Sequence, residues 1–178
     1  MSKIFVDEIT GFEGTETGAA ITLSGDTATL SGVIFPAGMI IGVENTTTTS
    51  ILAKNNTTYE TVISDSITVK ANSKVLINVS IPISANTDST PAGGQILQTG
   101  TASATIVAAR EVMDEHHASS GGYFGGTFMS GVLSTAGSYT FSFQGNRLSG
   151  SGTVYFVSAN PGSGSASIAT MTLFEIAG

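Results

Sequence analysis

The strongest periodicity in the chain lies in SITVKANSKVLINVSIPI. Val75, Ile77, Val79, Ile81 and Ile83 alternate with Lys74, Leu76, Asn78, Ser80 and Pro82. A period of two puts one face of a strand against a core and leaves the other mostly wet. Pro82 has no N–H for a ladder, so this strand is expected to end, bulge or lie at an edge there. GSYTFSFQG alternates as cleanly, with Tyr139, Phe141 and Phe143 on one side and Ser138, Thr140 and Ser142 on the other. GTVYFVSA is apolar nearly throughout and reads as a strand buried on both faces.

Other strands fall between turn signals. Pro36-Ala37-Gly38 is a turn, followed by MIIGVE. TTTTSILA and TTYETVIS flank Lys54-Asn55-Asn56, which reads as a hairpin-like turn, and Ala71-Asn72-Ser73 separates the next two strands. QILQTG and YFGGTFMSGVL are strand-like, and IATMTLFEI closes the chain. ATIVAAREVM contains good helix formers, but its β surroundings favour a strand. Strands recurring about every ten residues between Gly, Asn, Ser and Pro predict an all-β fold. The expected architecture is an antiparallel jelly-roll sandwich over residues 36–178, preceded by an extended N-terminal arm and linker over residues 1–35.

The first 35 residues differ from the rest. KIFVDEI is one short apolar strand, and GFEGTETG after it is polar and glycine-rich. Leu23-Ser24-Gly25 then returns as Leu30-Ser31-Gly32, each copy behind a short strand, AITL and TATL. Two copies are too few to stack as a solenoid. They read as short strands or a hairpin, or as a chance echo in Thr- and Gly-rich text.

Composition sharpens this picture. Charged residues are 11% of the 178, against about 25% in ordinary soluble domains. Their places are taken by 25 Thr and 23 Ser, and 22 Gly supply the turns. Net charge is -7, which argues against nucleic acid or an anionic membrane surface as partner. No apolar run is long enough to span a bilayer, and no secretory signal pattern opens the chain. There is no cysteine, hence no disulfide or thiolate metal site, and oligomerisation is the obvious alternative staple.

Signs of catalysis are scarce. No nucleophile elbow and no phosphate loop occurs. The two histidines, His116 and His117, are adjacent in Asp114-Glu115-His116-His117. On a strand, neighbours face opposite ways and cannot chelate one ion, so a solvated acidic loop is expected there. A histidine from each of three subunits meeting on an axis is the alternative. No cofactor, metal or enzymatic activity is expected; a glycan hydrolase could use only the scattered carboxylates. Tyr139, Phe141 and Phe143 either fill the core or, with Tyr155, pack between subunits around a three-fold axis.

The phrases FPAGMIIGVENTTTTS, SITVKANSKVLINVSI and STAGSYTFSFQGNRLSGSGTVYFVSAN, with KIFVDEI at the start and FEI near the end, resemble short structural proteins of marine tailed bacteriophages. Related domains are similar to the trimeric jelly rolls of tumour-necrosis-factor and complement heads. The resemblance implies a homotrimer on the virion surface, made in the host cytoplasm and serving as a capsid decoration or short head fibre. Ile4, Phe5, Val6 and Ile9 would then anchor it to another virion protein by strand addition or a groove contact. KIFVDEI as simply the first strand of the sandwich is the alternative. The other role the resemblance allows is a tail-fibre tip that recognises a host surface glycan or protein through Asn86–Gly94 and Glu115–Gly122.

Overall fold

The structure, a computed structural model, describes residues 21–24, 27–30, 35–87, 90–101, 103–113, 122–158 and 166–178. The chain divides into two units, Met1–Phe35 and Pro36–Gly178. In the first, Ile21–Ser24 (β1) and Thr27–Leu30 (β2) form an antiparallel hairpin. Ile21 pairs with Leu30 and Ser24 with Thr27, so the near-repeat is the two arms of one hairpin.

The second unit is built from β3 (Ile40–Thr48), β4 (Leu52–Lys54), β5 (Glu60–Val69), β6 (Lys74–Ala85), β7 (Ala92–Gly100), β8 (Thr105–Met113), β9 (Gly122–Met129), β10 (Gly137–Arg147), β11 (Val154–Phe156) and β12 (Ala169–Ile176). One sheet has the order β5-β10-β7-β8, antiparallel throughout. The other is centred on β6. Residues 76–80 of β6 pair with both β12 and β9, so those strands flank it on opposite sides, and β3 lies beyond β12. The short strands β11 and β4 extend this sheet from the end of β6. Without them, eight strands remain in two four-stranded sheets, β3-β12-β6-β9 and β5-β10-β7-β8, and the chain passes from sheet to sheet at most connections. This is the expected jelly roll, all-β, with no helix among the described residues.

Two local expectations change. Lys54-Asn55-Asn56 is no hairpin turn, because β4 pairs with β11 while β5 pairs with β10 in the opposite sheet. The polar run there is a crossing between sheets. Pro82 neither ends β6 nor lies on an edge strand. It sits between the last pair with β12, Ser80↔Thr170, and the first with β11, Ile83↔Phe156. A missing N–H is tolerated where one partner strand hands over to the next. The Pro82 carbonyl still accepts a hydrogen bond from the Val157 N–H at 2.7 Å.

The core follows the alternation. Val75, Ile77, Val79, Ile81 and Ile83 are all buried, facing Ile63 and Ile67 of β5, Ile96 of β7 and Tyr139, Phe141 and Phe143 of β10. Three aromatic rings meet between the sheets: Phe124 lies 4.6 Å from Phe143, and Phe143 lies 6.0 Å from Phe156, edge to face. Gly145 makes room for them, since a Cβ there would stand 2.4 Å from Phe156 Cζ. Asn72 takes the left-handed conformation, φ 66°, in the turn between β5 and β6, a conformation asparagine tolerates.

One inward position breaks the apolar rule. On β12 the buried set is Ala169, Met171, Leu173 and Glu175. Glu175 is 4% exposed, and its Oε1 accepts hydrogen bonds from the Lys70 N–H at 2.6 Å and the Ser73 hydroxyl at 2.7 Å. The carboxylate thereby ties the last strand to both sides of the Asn72 turn.

Candidate functional site

The aromatic candidates for a three-fold interface fall into two groups. Tyr139, Phe141 and Phe143 are sealed in the sandwich of their own chain and have no ring area left for a second copy. Their place on the inner face of β10, between the two neighbouring strands β5 and β7, is what consumes them. Tyr155 is half-buried on β11, opposite Ala53 and Ser84. Ile4, Phe5, Val6 and Ile9 lie outside the described residues, as do Asp114, Glu115, His116 and His117. Among the described residues no three of His, Cys, Asp and Glu gather closely enough to hold a metal ion.

Pairing register brings out a surface feature. Val43 pairs with Phe174, Phe174 with Leu76, and Leu76 with Met129. Directly paired residues point to the same side of a sheet. Because Leu173 and Glu175 point inward, Phe174 points out, and the four side chains form an apolar row across β3, β12, β6 and β9. Val43 is 55% exposed and Met129 47%, and Phe174 and Leu76 between them are half-buried. Ile176, paired with Ile40, widens the apolar end, with Lys74 at its margin. The next row along is Asn45, Thr172, Asn78 and Thr127, uncharged, with the Asn45 amide donating to Thr172 Oγ1 at 2.7 Å. A sheet face of this kind fits protein contact.

A second feature lies at one end of the sandwich. Ile96 pairs with Phe143 and Gln98 with Phe141, so Gln98 occupies the next inward position of β7 after Ile96. It is only 6% exposed, and it borders a groove of about 300 Å³. Thr101, just after β7, and Thr105, at the start of β8, form one wall, and Gly131–Thr135 with Tyr139 form the other. The Tyr139 hydroxyl donates to the Thr135 carbonyl at 2.9 Å, Thr101 Oγ1 to the Ser138 carbonyl at 2.9 Å, and Thr105 Oγ1 to the Ser103 carbonyl at 3.2 Å. The sequence reading missed this place, because QILQTG gives no clean alternation to show which glutamine faces in.

No protein-family model matches the chain, and no curated protein matches it. Among solved structures it is similar to the infectious bursal disease virus VP2 subviral particle, at 13% identity and a TM-score of 0.46, over 89% of this chain and 42% of that one. It is also similar to a T=1 particle derived from infectious bursal virus, at 12% identity and a TM-score of 0.46, over 96% and 44%. The Gx strain of infectious bursal disease virus gives 14% identity and a TM-score of 0.43, over 89% and 42%. The chain spans less than half the length of these proteins. Likeness at this level carries no functional argument.

Proposed function

We propose that the chain is a bacteriophage virion structural protein. In this reading it is a homotrimeric surface decoration or short head-fibre subunit, held on the particle through Ile4, Phe5, Val6 and Ile9. The observation that carries the reading is the outward row Val43–Phe174–Leu76–Met129. A chain of net charge -7 repels copies of itself, so identical subunits meet best where charge is missing. The row and the amide–hydroxyl row beside it form such a face, apolar at one end and neutral throughout except for Lys74 at its margin. A second copy is therefore its occupant, and a head-to-tail contact of this face with another surface of the next copy closes as a ring at three. Many such heads on one shell would multiply weak individual contacts by copy number.

Light scattering on the purified protein tests the assembly: a trimer is expected, and a monomer at every concentration refutes it. Copy number in purified particles tests the location, with hundreds expected for a shell decoration. A truncation lacking residues 1–9 is expected to remain trimeric and to lose the particle; undiminished particle binding refutes the anchor.

A further inference from the structure

We infer that the groove at the Gln98 end of the sandwich binds a neutral saccharide unit. Gln98 is the first reason. It is only 6% exposed, it borders the groove, and among the described residues its side chain takes part in no hydrogen bond. Its amide is not one of the sealed, unpartnered polar groups, so it keeps access to the groove, at a core position between two sheets that is normally filled by an apolar residue. An amide kept there and facing a cavity matches a ligand that both donates and accepts.

The hydroxyls on the walls define the chemistry of that ligand. Tyr139, Thr101 and Thr105 have each committed their proton to a backbone carbonyl. What they still present is lone pairs. The walls therefore accept hydrogen bonds from a ligand at these three oxygens, and the Gln98 amide offers both an NH2 donor and a carbonyl acceptor. A sugar hydroxyl is donor and acceptor at once and meets both demands. A phosphate or carboxylate only accepts, finds no Lys, Arg or His among the lining residues, and meets a chain of net charge -7. Val132, 58% exposed at the rim, supplies an alkyl surface for the C–H face of a ring. The volume stands at the small end of the usual range of about 300–1,000 Å³ for ligand sites, which suits one pyranose unit. No aromatic face is available for stacking on the ring, so a single unit binds weakly, in the millimolar range. This inference is independent of whether the chain forms part of a virion.

The test is an NMR titration of the full chain with methyl glycosides of glucose, galactose, mannose and N-acetylglucosamine, each to tens of millimolar. N-acetylneuraminate serves as the anionic comparison. The expected result is a saturable shift of the Gln98 side-chain amide and of the Thr105 and Val132 backbone amides with at least one neutral glycoside. A neutral oligosaccharide ending in the same unit then separates a glycan terminus, which binds several-fold more tightly, from a free sugar, which does not gain. Gln98→Leu is the control variant: it replaces an unpaired amide with an apolar group at an inward position, so it folds and is expected to lose the shifts. The inference is overturned if no neutral glycoside moves these signals, if N-acetylneuraminate binds as well as the neutral sugars, or if the shifts survive in Gln98→Leu.

Discussion

Replacing Glu175 with leucine tests how far one buried carboxylate holds the jelly roll closed. Glu175 Oε1 accepts from Lys70 N and Ser73 Oγ at 2.6 and 2.7 Å. Hydrogen bonds to a charged acceptor contribute about 1.5–3 kcal/mol each, so the two together hold roughly 3–6 kcal/mol. Leucine recovers part of this, because it removes the cost of keeping a charge away from water. Ser73, itself buried, is left with a hydroxyl that has lost its acceptor. The net expectation is a loss of about 2–4 kcal/mol, which for a domain of this size lowers Tm by roughly 5–15 °C. Urea unfolding at fixed protein concentration, followed by far-UV circular dichroism, gives the number directly. Glu175→Gln keeps one oxygen acceptor in the same shape and should lose less than half as much. Ser73→Ala added to Glu175→Leu should cost almost nothing more, because the bond it removes is already gone. A Glu175→Leu protein within about 0.5 kcal/mol of the parent, or a glutamine as harmful as the leucine, refutes the reasoning.

Other expectations follow from packing. Gly145→Ala places a Cβ against the Phe156 ring and is expected to cost about 1–3 kcal/mol, with Phe156→Leu restoring much of the loss in the double variant; chemical denaturation of all three measures it. Phe143→Ala empties the centre of the aromatic cluster and should cost about 3–5 kcal/mol, with a change in midpoint that does not depend on protein concentration, as a core residue requires. Val43→Glu together with Leu76→Glu puts charge on the outer face and should convert the proposed trimer to monomer in light scattering while far-UV circular dichroism stays unchanged.

The jelly roll could be read from sequence wherever alternation was strict. Val75 to Ile83 and Tyr139 to Phe143 declared their inner faces, and both lie in the core. Asn72 marked its turn for the same local reason, as few residues accept a left-handed backbone. What alternation cannot tell is which strand lies beside which. Lys54-Asn55-Asn56 has the composition of a hairpin and instead crosses between sheets, because β4 finds its partner about a hundred residues later, in β11. Pro82 looked like a strand end because a lone strand has no handover point to protect it. The two candidate sites escaped for a related reason. TLFEI puts an acid inside and Phe174 and Ile176 outside, the reverse of the usual pattern, and only the pairing of four strands reveals that Val43, Leu76 and Met129 continue the row. Gln98 has an ordinary polar spelling whose burial depends on Phe141, over forty residues away.

The position of β12 has a consequence for synthesis. Ala169–Ile176 is wedged between β3 and β6, strands that leave the ribosome long before it does. Until it arrives, β3 has no neighbour in its sheet and residues 74–80 of β6 lack a partner on one flank, so this sheet stays open after every strand of the opposite sheet has been made. Translation must therefore carry a sticky, incomplete sheet until β12 has emerged, and chains cut short before it should clump and be cleared by proteolysis instead of accumulating as stable fragments.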